Sequence, residues 1–280
     1  MANITAQQVN DLRARTGAGL MDCKKALVEA NGDPEAAAEI LRKKGAATRD
    51  KKAGRAANEG TIQTHIAADG RSAAIVEVNC ESDFVGKNEH FQAFAKKLAE
   101  QVVATGTDAD LAGQPLFDAP GKKVNDLLTE QITKTGENLV IARAKHVSAG
   151  AAGCIQSYIH LGGKIGVLVE LAVTDAPNDA IRTLARQIAM HVAAAAPRYL
   201  TRDEVEADII AKEREIAAAQ AAGKPAAAIE KIVLGKLEKY YGETCLVDQP
   251  FVIDPGKTVS EAAKAHGASV ASFVRFQIGQ

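Results

Sequence analysis

One stretch of this chain is written twice, and a chain that carries a unit twice must fold it the same way twice. "GTIQTHIAADGRSAAIVEV" (60–78) lies over "GCIQSYIHLGGKIGVLVEL" (153–171) at a shift of 93. Gly60, Ile62, Gln63, Ile66, Gly70, Val76 and Glu77 recur as Gly153, Ile155, Gln156, Ile159, Gly163, Val169 and Glu170. "FAKKLAEQVVA" (94–104) lies over "LARQIAMHVAA" (184–194), now at a shift of 90. "QPLFDAPGKKVNDLL" (114–128) lies over "QPFVIDPGKTVSEAA" (249–263) at 135, and "IARAKHV" (141–147) faces "FVRFQIG" (273–279) at 132.

Each copy reads alike. A β-hairpin turns at "ADGR" (68–71) or "LGGK" (161–164), where glycine supplies positive φ. A helix follows with an apolar stripe, Phe91, Phe94, Leu98 and Val102 in the first copy, Ile181, Leu184, Ile188 and Val192 in the second. A short helix and a strand close the unit. Antiparallel sheet with helices on one face buries both stripes, which predicts an α+β fold. Aromatics are 4% of the 280 residues and Trp is absent, so the cores must be built from Ala, Val, Leu and Ile.

The changes of shift locate what differs. From 93 to 90 the first copy gains three residues between strand and helix, inside "NCESDFVGKN" (79–88). The second copy closes without them, so the scaffold does not require Phe84. That favours a Phe84 presented to another molecule over one folded back under its own loop. Asp83 caps the next helix or offers charge to a partner. From 90 to 135 the second copy gains 45 residues. There, Val205, Ile209 and Ile216, then Ile229, Ile232, Val233 and Leu237 on either side of "GKP" (223–225), predict two amphipathic helices in an antiparallel hairpin. A projecting arm for assembly or partner contact competes with an inert insertion.

Ahead of the duplication, residues 1–45 read as three short helices. Thr5 and Gln8 form a capping box, "TGAG" (16–19) ends the first helix, and Asp33 with Pro34 opens the third, which stops before Gly45. Residues 42–55 carry seven Lys/Arg and one Asp. A solvated linker with cations at a helix C-terminus is favoured over an RNA patch, because no aromatics interleave for stacking. The expected organisation is a helical head, 1–45; a basic linker, 46–58; a first core subdomain, 59–150; a second, 151–200 and 243–280; and an inserted helical hairpin, 201–242.

No chemistry assembles. The six His lack metal-ligand spacing, and "GGKIG" (162–166) is a turn and not a phosphate loop. His160 begins the second hairpin turn, where a structural hydrogen bond is its role unless the turn faces a partner. The expectation is therefore no enzyme, no cofactor and no metal. Lys plus Arg is 34 against 35 for Asp plus Glu, which argues against a surface made for nucleic acid. Four scattered Cys suit a reducing cytosol. No apolar run spans a membrane, and the N-terminus lacks a leader's hydrophobic region. A cytoplasmic protein is expected.

"RTGAGLMDCKKAL" (15–27), "EVNCESDFV" (77–85), "IAMHVAA" (188–194) and the inserted hairpin closely resemble the bacterial elongation factor Ts family, from residue 2 to about residue 279. The resemblance implies a nucleotide exchange factor for the GTPase elongation factor Tu, with an N-terminal helical module, two related core subdomains and a coiled-coil arm. The family's loop usually reads T-D-F-V; here it is Ser82-Asp83-Phe84-Val85, which keeps the hydroxyl. The resemblance implies that Phe84 wedges between two helices of the GTPase, with Asp83 beside it, and helps dislodge Mg²⁺. Arg13, Leu20 and Met21 would touch the nucleotide-binding domain. His160 and the "PFV" strand, with Phe251 and Val252, would touch the third domain. Long members continue into a C-terminal helical module, and the contact it makes is expected to be missing here. A homodimer or a 2:2 complex, through the core or the arm, is left open.

Overall fold

A computed structural model describes residues 4–280. The head is three helices, α1 (Ala6–Thr16), α2 (Leu20–Glu29) and α3 (Pro34–Lys52). Thr5 and Gln8 close the capping box on α1, and Asp33 accepts from the amides of Glu35 and Ala36 to open α3. Val9, Leu12, Cys23, Ala26, Leu27 and Ala37 form a small core of their own.

The third helix corrects the sequence reading. It does not stop before Gly45 but runs on to Lys52, through the first half of the stretch read as linker. The reason is tertiary. Gly45 is buried where α3 crosses a helix of the first copy, and a Cβ there would meet the Thr129 methyl at 3.0 Å. Arg49 donates to the Asn125 side chain at 2.6 Å and Lys52 to the Gly136 carbonyl. The isolated glycine is a close-approach site rather than a stop.

The first copy contains β1 (Glu59–Ile66), β2 (Ser72–Cys80), the single turn α4 (Asp83–Gly86), α5 (Glu89–Thr105), the small hairpin β3 (Pro115–Leu116) and β4 (Ala119–Lys123), α6 (Val124–Thr135) and β5 (Val140–Ser148). The second contains β6 (Gly153–His160), β7 (Ile165–Val173), α7 (Asp179–Ala195), α8 (Ala207–Gln220), α9 (Ala226–Thr244), β8 (Pro250–Phe251), β9 (Asp254–Thr258), α10 (Val259–Lys264) and β10 (Ala268–Gln277). Each copy builds a three-stranded antiparallel sheet, β1-β2-β5 and β10-β7-β6. The fold is α+β.

The long helix of each copy lies on one face of its sheet. All eight predicted stripe residues, from Phe91 to Val102 and from Ile181 to Val192, are buried there. The other faces of the two sheets meet. Ile62, Ala73, Ile75, Ile155, Leu168 and Phe276 make a core between them. Each hairpin turn is pinned to the opposite copy, and the two bonds are related by the repeat. The Ile62 amide donates to the Gly163 carbonyl at 2.8 Å, and the Ile155 amide donates to the Gly70 carbonyl at 2.9 Å. Gly163 has φ +99, and a side chain there would collide with Thr61, so this turn admits only glycine.

The insertion is the antiparallel helix pair α8 and α9. Its seam differs by one position from the stripe read in the sequence. Ala217, Ala221 and Leu237 are buried, while Ile216 is half exposed. Alanine lets the helix axes approach closely, and that leaves the larger Ile216 at the rim.

Candidate functional site

The segment between β2 and α5 spans residues 81–88, against 174–178 at the same place in the second copy. Three extra residues buy room for α4. Its N-cap is Ser82, whose hydroxyl accepts from the Val85 amide at 3.3 Å, and Asn88 caps α5 by accepting from the His90 and Phe91 amides. Between these two caps Val85 tucks against the first copy's core. Phe84 points the other way and is 84% exposed.

This loop is stiff. Glu137, just after α6, accepts from the amides of Glu81 and Ser82, both at 3.0 Å, and from the Ser82 hydroxyl at 2.5 Å. Glu81 in turn accepts from the Asn138 amide at 2.6 Å. Gly86 is buried with a would-be Cβ 3.1 Å from the Gly60 carbonyl, so the loop lies flat on β1. Asp83 receives Lys87 at 2.7 Å. That bond, together with the charges of Lys87 and Lys164, holds the Asp83 carboxyl below the usual range. An aromatic ring on a fixed, hydrogen-bonded base loses little entropy when it enters a partner.

The β6–β7 turn comes to the same place, since Lys164 pairs with Glu59 at the start of β1. His160 is exposed there, with Nδ1 bonded to the Tyr158 hydroxyl at 3.0 Å, and Leu161 beside it is exposed with φ +49. The head reaches the loop's base through Arg55, whose carbonyl accepts from the Asn138 side chain at 2.8 Å. Arg13, Leu20 and Met21 are exposed at the α1–α2 corner. Phe251 differs from the surface role expected of it. It is 3% exposed and packs on the His191 ring at 5.9 Å between centroids. Val252 follows it in the turn between β8 and β9, and it is this residue, 55% exposed, that stands at the surface.

The basic stretch is used internally. Arg42 bonds Glu39 at 2.8 Å, Lys44 bonds Glu29 at 3.0 Å, and Arg55 reaches Glu81 at 3.5 Å. Arg49 and Lys52 reach α6 and the turn after it. Among the described residues there is no group of three or more His, Cys, Asp or Glu that could hold a metal ion, and no helix long and apolar enough to cross a membrane. The four cysteines are free and buried, and burial pushes the Cys80 thiol up to about 12.

Sequence reasoning missed Glu137, because its bonds close over a separation of 55 residues and more. It also missed Gln101 and His191, although their alignment in the repeat was the signal that could have found them.

What this arrangement offers is a rigid surface with one projecting ring, suited to engaging another macromolecule. The family model for "Elongation factor TS" matches residues 81–280. Proteins named elongation factor Ts are similar along nearly the whole chain. That of Thioalkalivibrio sulfidiphilus is 48% identical, over 99% of this chain and 92% of its own length. Those of Methylococcus capsulatus and Trichlorobacter lovleyi are 47% and 45% identical, each over 99% of this chain and 93% of their own. The class these matches define is the translation elongation factors, proteins of protein biosynthesis. Within it, the chain belongs to the elongation factor Ts family.

Proposed function

We propose that this protein binds elongation factor Tu in its GDP form, disrupts the Mg²⁺ and nucleotide site, and promotes release of GDP and its exchange for GTP. The observation that carries the reading is Phe84, 84% exposed on a loop three residues longer than its counterpart and braced from beneath by Glu137. Mg²⁺ in the partner demands near-ideal octahedral geometry. A ring driven between two helices shifts an element by a small distance, and packed cores answer by switching rather than bending. Binding the nucleotide-free state more tightly weakens GDP by the same factor that GDP weakens the exchange factor. No covalent bond is made or broken.

Ser82 and Val85 hold the wedge, Asp83 flanks it, and Arg13, Leu20, Met21, His160 and Val252 supply further contacts in this reading. The protein then works in the cytoplasm and touches no nucleic acid directly. The test is release of labelled GDP from elongation factor Tu with sub-stoichiometric amounts of this protein. Wild type accelerates it. Phe84→Ala keeps the circular dichroism and melting of wild type but loses on the order of tenfold or more of the acceleration, the scale of a lost interface anchor. Equal rates for the two proteins overturn the wedge. No acceleration by wild type overturns the function.

A further inference from the structure

Both copies fasten their small hairpin to their long helix by one buried polar latch, and they differ in one of its residues. In the first copy Gln101 of α5 is fully buried. Its Oε1 accepts from the Phe117 amide at 2.9 Å, and its Nε2 donates to Gln114 Oε1 at 3.1 Å and to the Pro115 carbonyl at 3.0 Å. In the second copy His191 of α7 takes that position, 2% exposed. Its Nδ1 accepts from the Val252 amide at 3.3 Å, and its Nε2 lies 2.9 Å from Gln249 Oε1.

The tautomer follows from the partners. Gln249 Nε2 donates to the Glu243 carbonyl at 2.8 Å, so the Gln249 oxygen faces His191 and accepts. Nε2 of His191 therefore carries the hydrogen, and Nδ1 keeps its lone pair for Val252. A proton on Nδ1 would set two donors against each other in a buried site. Glutamine in the first copy makes the same bonds and has no proton to gain.

We infer that His191 is a positioning residue: its neutral Nδ1 holds the Val252 amide and so fixes the β8–β9 hairpin that presents Val252, and protonation of the ring releases that hairpin. The importance of Val252 rests on the function proposed above; the latch itself does not. Burial keeps the His191 pKa below the ordinary histidine value, opposed by the bond to Gln249, and no charged side chain contributes. Of the titratable groups on the elements packed around it, Arg186 and Lys264 are exposed, His266 Nδ1 lies 3.0 Å from the Ala262 carbonyl, and four more are paired or capping. Asp248 pairs with Arg202, Glu243 with Lys239, Asp254 with Lys257, and Glu261 caps Thr258. Because the folded state resists the proton, the latch contributes fully above the unfolded histidine value of about 6.5 and is lost as pH falls below it.

Two measurements on the full chain test this. The first is hydrogen exchange at the Val252 amide between pH about 5 and 8, corrected for intrinsic exchange. In wild type, protection falls on the acid side, at least about tenfold by the lowest pH, the scale of one lost buried hydrogen bond. In His191→Gln, which borrows the residue of the first copy, protection stays flat. The second is GDP release from elongation factor Tu across the same range, read as the ratio of wild type to His191→Gln so that the GTPase's own titration cancels. The ratio falls with acid, while His191→Leu is slow at every pH and His191→Gln restores the neutral rate to within about threefold. If His191→Leu does not fold, the wild-type and His191→Gln profiles decide alone. Val252 protection with the same pH profile in wild type and His191→Gln overturns the latch. A flat rate ratio alongside a pH-sensitive amide overturns the functional role of the hairpin. Absence of any GDP release stimulated by wild type removes the proposed function instead, and the amide measurement still judges the latch.

Discussion

At the scale of single residues, Glu137 braces the Phe84 loop. It touches no partner in the proposed reading, yet three donors of the Phe84 loop end on its carboxylate. Glu137→Ala leaves the Glu81 and Ser82 amides and the Ser82 hydroxyl without that acceptor, at a cost of about 1–3 kcal/mol because the site is only partly buried and water can replace some of it. The expected outcome is a fall in Tm of several degrees and slower GDP release with Phe84 itself intact. An unchanged exchange rate in a variant with lowered Tm would separate stability from function and show that the loop needs no brace. The exposed pair Asp83–Lys87 is a contrast, since two solvated side chains give little stability. Phe84 was legible in the sequence because the two copies disagree there. Phe251 was not, because a resemblance transfers a motif without saying which of two neighbouring side chains, one ending β8 and one in the turn after it, is buried.

At the scale of elements, the repeat made the hairpins, long helices and closing strands legible, since each pattern could be read twice. Their stripes are the buried ones. The end of α3 was not legible, because glycine reads as a stop locally and as a close crossing only when Thr129 is in view. That crossing can be tested. Gly45→Ala gains about 1 kcal/mol of intrinsic helix preference, against a 3.0 Å approach that the Thr129 methyl must yield to. Near neutrality is expected. Gly45→Leu cannot be accommodated without separating α3 from α6, and cleavage by limited proteolysis between residues 53 and 58 should accelerate several-fold while the core subdomains stay protected. Unchanged proteolysis of the Leu variant would mean that the head is not held by this contact. The arm shows the same limit of sequence reading. Hydrophobicity nominated Ile216 for the seam, whereas packing distance chose Ala217.

At the scale of the whole molecule, the duplication is a mechanical device as well as a pattern. The apolar faces of the two sheets cover each other, and each copy's hairpin turn is held by an amide of the other, Ile62 to Gly163 and Ile155 to Gly70. Opening either copy exposes Ile62, Ile75, Ile155 and Leu168 together and strands two amides at once, which couples the two folds. Proximity of the Phe84 loop and the β6–β7 turn depends on that coupling, since the first comes from one copy and the second from the other, joined at Glu59 and Lys164. Ile155→Ala removes a fully buried side chain at about 2–5 kcal/mol. If the copies are one cooperative unit, hydrogen exchange should speed by a similar factor in β1 and β2 of the first copy and in β6 and β7 of the second, although the substitution lies in the second alone. Faster exchange confined to residues 153–173 would show two independent folding units. The site would then be assembled by docking rather than built into the fold, and its geometry would vary with the angle between the copies.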